Sequence, residues 1–144
     1  MKKPEQNISS RINDFYLDYD ETLKMSEVAC KDCKTAMIDP KLLECWAKLR
    51  KRVGQPITIN SGYRCWDYHV KLYMRLYPDH WREKITKHSK HLVGQAFDLD
   101  KPPGMTIEEF INLAKVAGFT YCYIISPTAI HVDVRGTKVR WDYR

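Results

Sequence analysis

The sequence predicts an α+β fold, a small antiparallel sheet with flanking helices, and three observations carry that expectation. Helical periodicity is clearest early and in the middle of the chain. Strand-like alternation bunches late, between Ala96 and Trp141. Several late strands are joined by connections too short for a crossover helix, so they pair antiparallel.

The elements follow in order. Residues 1–24 are polar and mixed and read as an N-terminal arm, with a single domain over 25–144. Asp39 caps a helix and Pro40 takes its first position. Leu42, Trp46, Leu49 and Val53 recur at helical spacing, and Gly54 stops the run. Ile57-Thr58-Ile59-Asn60 alternates after a proline and reads as a strand, left by the turn Ser61-Gly62-Tyr63-Arg64. From Asp67 to Tyr77 a helix puts Val70, Met74 and Tyr77 on one stripe, and Pro78 ends it. Residues 79–90 are polar and basic, a surface loop. Ala96 to Leu99 reads as a strand, broken by Pro102-Pro103-Gly104. Thr106-Ile107-Glu108-Glu109 is a capping box, and its helix runs to Ala117 with Gly118 as the stop. Strands are expected over Thr120–Ile125, Ile130–Val134 and near Val139-Arg140-Trp141.

Composition narrows the function classes. The chain has 144 residues, 44% hydrophobic and 29% charged, which excludes wholesale disorder. No apolar run is long enough to span a membrane. The N-terminal MKKPEQNISSRINDF has no apolar core, so no secretory signal is expected. The net charge of +6 favours an anionic partner: nucleic acid, anionic lipid or bacterial cell wall. Its one dense cluster, Lys48, Arg50, Lys51 and Arg52, suits the end of a helix. Without a reading motif or aromatic-basic interleaving, nucleic acid is not an expected partner. Five cysteines are present, an odd number: Cys30, Cys33, Cys45, Cys65 and Cys122. Cys30 and Cys33 form a CxxC, half of a zinc site; buried thiols, or a bridge from either to Cys65, are the other readings.

Two motifs carry chemistry. In Ser89-Lys90-His91-Leu92-Val93-Gly94-Gln95-Ala96-Phe97-Asp98, an imidazole and a carboxylate flank a tight turn and a small residue. An Asp among Ala, Phe and Leu is costly to bury unless it is paired or binds a metal. In Ile130-His131-Val132-Asp133-Val134, period two sets His131 and Asp133 on one face and the apolar residues on the other. Together the motifs make a two-histidine, one-carboxylate zinc site available, with an open position for water.

SxHxxGxAxD, a later HxD and an upstream SGYR resemble the M15 zinc peptidases, the D-Ala-D-Ala carboxypeptidases and phage murein endopeptidases. The resemblance runs from Met25 to Trp141 and includes Ser26-Glu27-Val28-Ala29-Cys30. It implies the fold shared with the hedgehog signalling domain. It implies Zn2+ as cofactor, held by His91, Asp98 and His131. It further implies that Arg64 grips the substrate's carboxylate or carbonyl end, that Ser89 hydrogen-bonds the substrate, and that Tyr63 joins them in substrate binding. The expected substrate is a peptidoglycan stem peptide, cut near a D-amino acid. The expected protein is a monomer, made in the cytoplasm and acting on the cell wall, as a phage lysis or virion protein does.

One position departs from the family. Many M15 enzymes carry an acidic general base three residues before the last zinc histidine, and here that position is Thr128. Two readings follow: Asp133 is the catalytic base, or it only orients the ligand shell and activity is weak or lost. A non-enzymatic zinc module of the same fold is therefore the alternative.

Overall fold

A computed structural model describes residues 10–11, 16–17, 20–136 and 140–141. It is a mixed α/β structure with one five-stranded sheet and two short strand pairs. β1 (Ser10–Arg11) pairs with β4 (Thr35–Ala36), and β2 (Tyr16–Leu17) pairs with β3 (Asp20–Lys24). The boundary expected at residue 25 falls between β3 and the short α1 (Met25–Val28), and Leu23 and Met25 are buried in one core.

Helix α2 (Pro40–Val53) begins where Asp39 accepts a hydrogen bond from Lys41 N–H at 2.7 Å, and it ends at Gly54 in the left-handed region. Helix α5 (Ile107–Ala117) opens on the reciprocal Thr106–Glu109 capping box. Both are amphipathic: Leu42, Leu43, Trp46 and Leu49 of α2 and Phe110, Ile111 and Ala114 of α5 are buried. Between them lie β5 (Ile59–Ser61), α3 (Trp66–Leu76), α4 (Trp81–Lys84), a 3-10 turn (Lys90–Val93) and β6 (Ala96–Asp100). The polar stretch 79–90 is thus not all loop. The strand expected at 57–60 begins two residues later, although Ile57 is buried.

β7 (Tyr121–Ser126), β8 (Ala129–Asp133) and β9 (Arg140–Trp141) complete the sheet, in the order β5-β6-β8-β7-β9. All pairings are antiparallel except one: β9 runs parallel to β7. The reason is order along the edge: β9 returns beside β7 rather than beside β8. Phe97 and Leu99 of β6 and Ile130 and Val132 of β8 enter the core shared with α2 and α5. The alternate residues Asp98, His131 and Asp133 therefore occupy the other face.

Candidate metal centre

Strand register joins the two motifs. Asp98 is the direct partner of His131 across β6 and β8, and His131 is the direct partner of Tyr123 across β8 and β7. Ser61 of β5 pairs with Asp98 from the other side, so one row of side chains crosses four strands. His91 arrives from outside the sheet. Its 3-10 turn is capped by Ser89, whose hydroxyl accepts from His91 N–H at 3.3 Å, and closed by Gly94 at φ 70°.

His91 Nε2 lies 3.2 Å and His131 Nδ1 3.0 Å from the same oxygen, Asp98 Oδ1. The three ligand atoms fall within 4.8 Å of one another. Tetrahedral ligands about 2.0–2.1 Å from zinc would sit about 3.3 Å apart. The outer nitrogens are already committed. His91 Nδ1–H donates to the Gly62 carbonyl at 2.7 Å, and His131 Nε2–H donates to Asp133 Oδ2 at 2.7 Å. A neutral imidazole has one N–H, so the inner nitrogens present lone pairs to a carboxylate oxygen. Three acceptors converging on one point can hold a cation.

The electrostatics are those of a carboxylate that favours positive charge beside it. Burial pushes Asp98 up, but positive charge on the His91 and His131 rings, when they carry it in place of a metal, outweighs burial and holds the carboxyl far below the usual range. For His91 itself burial outweighs the opposing pull of Asp98, and its pKa is lowered. Burial opposes a charge on His131 too, yet Asp133 and Asp98 raise its pKa overall, so a second proton competes with a metal for Nδ1.

The supporting shell holds the ligands on every side. Arg64, only 8% exposed, donates through Nη2 to Asp98 Oδ2 at 3.3 Å and through Nε to Ser61 Oγ at 3.0 Å. Arg64 Nη1 also faces Nδ1 of the fully buried His69 at 3.4 Å, and His69 Nε2–H donates to the Thr86 carbonyl at 2.8 Å. Asp133 is fully buried. Besides its bond to His131, it accepts from Arg135 through Nη2 at 2.6 Å, through Nε at 3.0 Å, and from the Arg135 backbone N–H at 3.1 Å. Burial raises the Asp133 pKa, but His131 and Arg135 lower it further, so it is ionised. Tyr123 stacks on the His131 ring at 4.7 Å, and the Arg135 guanidinium sits 3.9 Å over Tyr121.

These groups open onto a cleft of about 430 Å³. Arg64, Ser89, His91, Asp98 and His131 line it, with the basic rim Lys87, Lys90 and Arg135 and the aromatic wall Tyr121 and Tyr123. Two expected site residues do not line it. Asp133 lies behind His131, on the other ring nitrogen, and is not among the residues that line the cleft. Tyr63 is beside the thiols: burial first, and then Cys33, Cys65 and Cys30, raise its pKa. Sequence reasoning missed His69, Tyr123 and Arg135. Only the aromatics left a signal there, Tyr121 and Tyr123 alternating on a strand.

The Peptidase M15 family model matches residues 15–71. The match supports an M15 family peptidase. No curated protein matches the chain. The stretch matching the M15 family carries Arg64 and the CxxC, while His91, Asp98 and His131 lie downstream of it. M15 peptidases are zinc enzymes, and the His91–Asp98–His131 group can hold such an ion.

Proposed function

We propose that the protein is a zinc-dependent peptidoglycan peptidase, hydrolysing a stem-peptide bond near a D-amino acid as a carboxypeptidase or endopeptidase. The observation that carries this reading is the convergence of two imidazole lone pairs and one carboxylate oxygen in a cleft with a basic rim. When bound, zinc supplies an acidified water and polarises the scissile carbonyl. The chain's own residues do the rest. His91 and His131 are held in their metal-binding tautomers by Gly62 and Asp133. Arg64 fixes the orientation of Asp98 and, from the cleft wall, faces the carboxylate or carbonyl end of a stem peptide. Lys87, Lys90 and Arg135 draw the anionic wall polymer. Ser89 caps the His91 turn and borders the substrate. Asp133 acts as a positioning residue. The fold is then of the hedgehog/DD-peptidase type, in a monomer that acts on the wall, as phage lysis or virion proteins do.

Mass spectrometry of murein fragments after incubation with zinc-loaded protein tests the reading. New stem-peptide fragments that vanish with a chelator are the expected result. Intact murein with full zinc occupancy would favour a second reading, a zinc-binding wall module of the same fold. One observation motivates that second reading: among the described residues lining the cleft, Asp98 is the one carboxylate, and it is itself a ligand. Thr128, at the usual base position, is exposed and bonded to Ser126.

A further inference from the structure

Outside the cleft, three thiols meet where the entry loop touches the Ser61–Arg64 turn. Cys30 and Cys33 lie between α1 and β4, and Cys65 lies between Arg64 and α3. Their sulfurs fall within 4.8 Å of one another, with Cys30 Sγ and Cys65 Sγ 3.6 Å apart. Two sulfurs on one tetrahedral zinc, each about 2.3 Å from it, are about 3.8 Å apart. These thiols differ from the other two. Cys45 and Cys122 are packed in the apolar core, whereas Cys33 and Cys65 are half-exposed and outside it.

The backbone is shaped around the CxxC. Lys34, at φ 63°, is the one non-glycine residue in the left-handed region among the described residues. Its N–H donates to the Cys30 carbonyl at 3.0 Å, and Cys30 N–H donates to the Thr35 carbonyl at 2.9 Å. The loop thus closes on itself with both of its sulfurs beside Cys65. A core thiol needs no such turn; a chelating pair at C-x2-C spacing does.

We propose that Cys30, Cys33 and Cys65 form a second, thiolate zinc site, structural in role, with its fourth position outside these three side chains. Three thiolates suit a soft d10 ion, and Lys31 and Lys34 flank the net negative charge such a site carries. The site clamps two segments already in backbone contact. Tyr63 N–H donates to the Val28 carbonyl at 2.8 Å, and a Cβ on Gly62 would lie 2.6 Å from that same oxygen. Since Cys65 adjoins Arg64, the clamp also steadies the residue that orients Asp98, a consequence that rests on the cleft reading above.

Metal analysis of the full chain, purified under reducing conditions, loaded with zinc and desalted, tests the site. Two zinc per chain are expected, one in Cys65→Ser, and one in His131→Ala. Cobalt(II) loading gives a second readout. The wild type and His131→Ala should show intense near-ultraviolet thiolate-to-cobalt absorption, and Cys65→Ser should not. If Cys65→Ser does not fold, the wild-type cobalt spectrum decides alone. A wild type without that absorption overturns the site whatever happens in the cleft. A mass lowered by a pair of hydrogens before reduction, with no absorption after it, would assign the cluster to a disulfide instead.

Discussion

The two walls of the cleft are held by different means. In the sheet wall, Asp98, His131 and Tyr123 are set side by side by strand register, and each is fixed by ladder bonds that no one side chain controls. In the loop wall, Arg64 and His91 hold each other through the backbone. Arg64 N–H donates to the His91 carbonyl at 3.0 Å, and the His91 ring donates to Gly62 at 2.7 Å. The turn that carries His91 is pinned in turn, since Asp39 N–H donates to the Gly94 carbonyl at 2.8 Å. The sheet wall should therefore lose function one side chain at a time. The loop wall should fail as a unit, because any backbone shift moves Arg64 and His91 together.

The largest effect is expected from the sheet wall's own ligand. His131→Ala removes one of three donors and should abolish zinc binding in the cleft, seen as the loss of one zinc per chain, while the ladder keeps the fold. Full occupancy in that variant would mean that the lone pairs assigned here do not meet at a metal.

Gly94→Ala attacks the loop wall without touching a ligand. Gly94 sits at φ 70°, and an added Cβ would lie 2.6 Å from the Met37 carbonyl oxygen. Strain and overpacking together should cost about 2–4 kcal/mol. At that cost the melting temperature drops by roughly 10 °C. Zinc affinity should fall with it, because the His91 turn must move. Unchanged zinc affinity at a lowered melting temperature would show that the turn can shift without carrying the ligand.

Asp133→Asn probes the sheet wall behind the ligand. The variant keeps the shape and removes the charge that holds the His131 Nε2–H. As a positioning residue, Asp133 should cost about 10–100-fold in zinc affinity when replaced. Turnover at saturating zinc should stay near wild type. A loss of about 10²–10⁴-fold at full zinc occupancy would instead make it the base. Competition titration with a chromophoric chelator, paired with kcat at saturating zinc, separates the two.

The two walls were also unequally readable. Alternation in Ile130–Val134 showed that His131 and Asp133 share a face, since period two needs no tertiary information. It did not show what shares that face across the strands. The pairing of Asp98 with His131 depends on register, which a single strand does not encode. The face that His131 and Asp133 share is also buried at both residues, with Arg135 and Tyr123 packed against them. In the loop wall, Gly94 announced a turn but not its approach to Met37. Nothing in the helical stretch 67–77 singles out His69, and only the fold sets its ring between Arg64 and Thr86.

The smallest effect is expected from a change that touches neither wall. Thr106 caps α5, its hydroxyl accepting from Glu109 N–H at 3.0 Å while Glu109 accepts from Thr106 N–H at 2.8 Å. α5 packs on α2 and on β7, within the core beneath the sheet. Thr106→Ala removes one half of the capping box and should cost about 1 kcal/mol. A loss of that size lowers the melting temperature by a few degrees. The sheet register does not depend on the cap, and neither do the bonds to Gly62 and Asp133. Zinc affinity should therefore match wild type within error, even though the protein is less stable. Thermal melts and zinc titrations on the same preparation check this. Should affinity fall in step with stability, the losses in Gly94→Ala and Asp133→Asn would reflect general loosening, and the distinction between the walls would not stand.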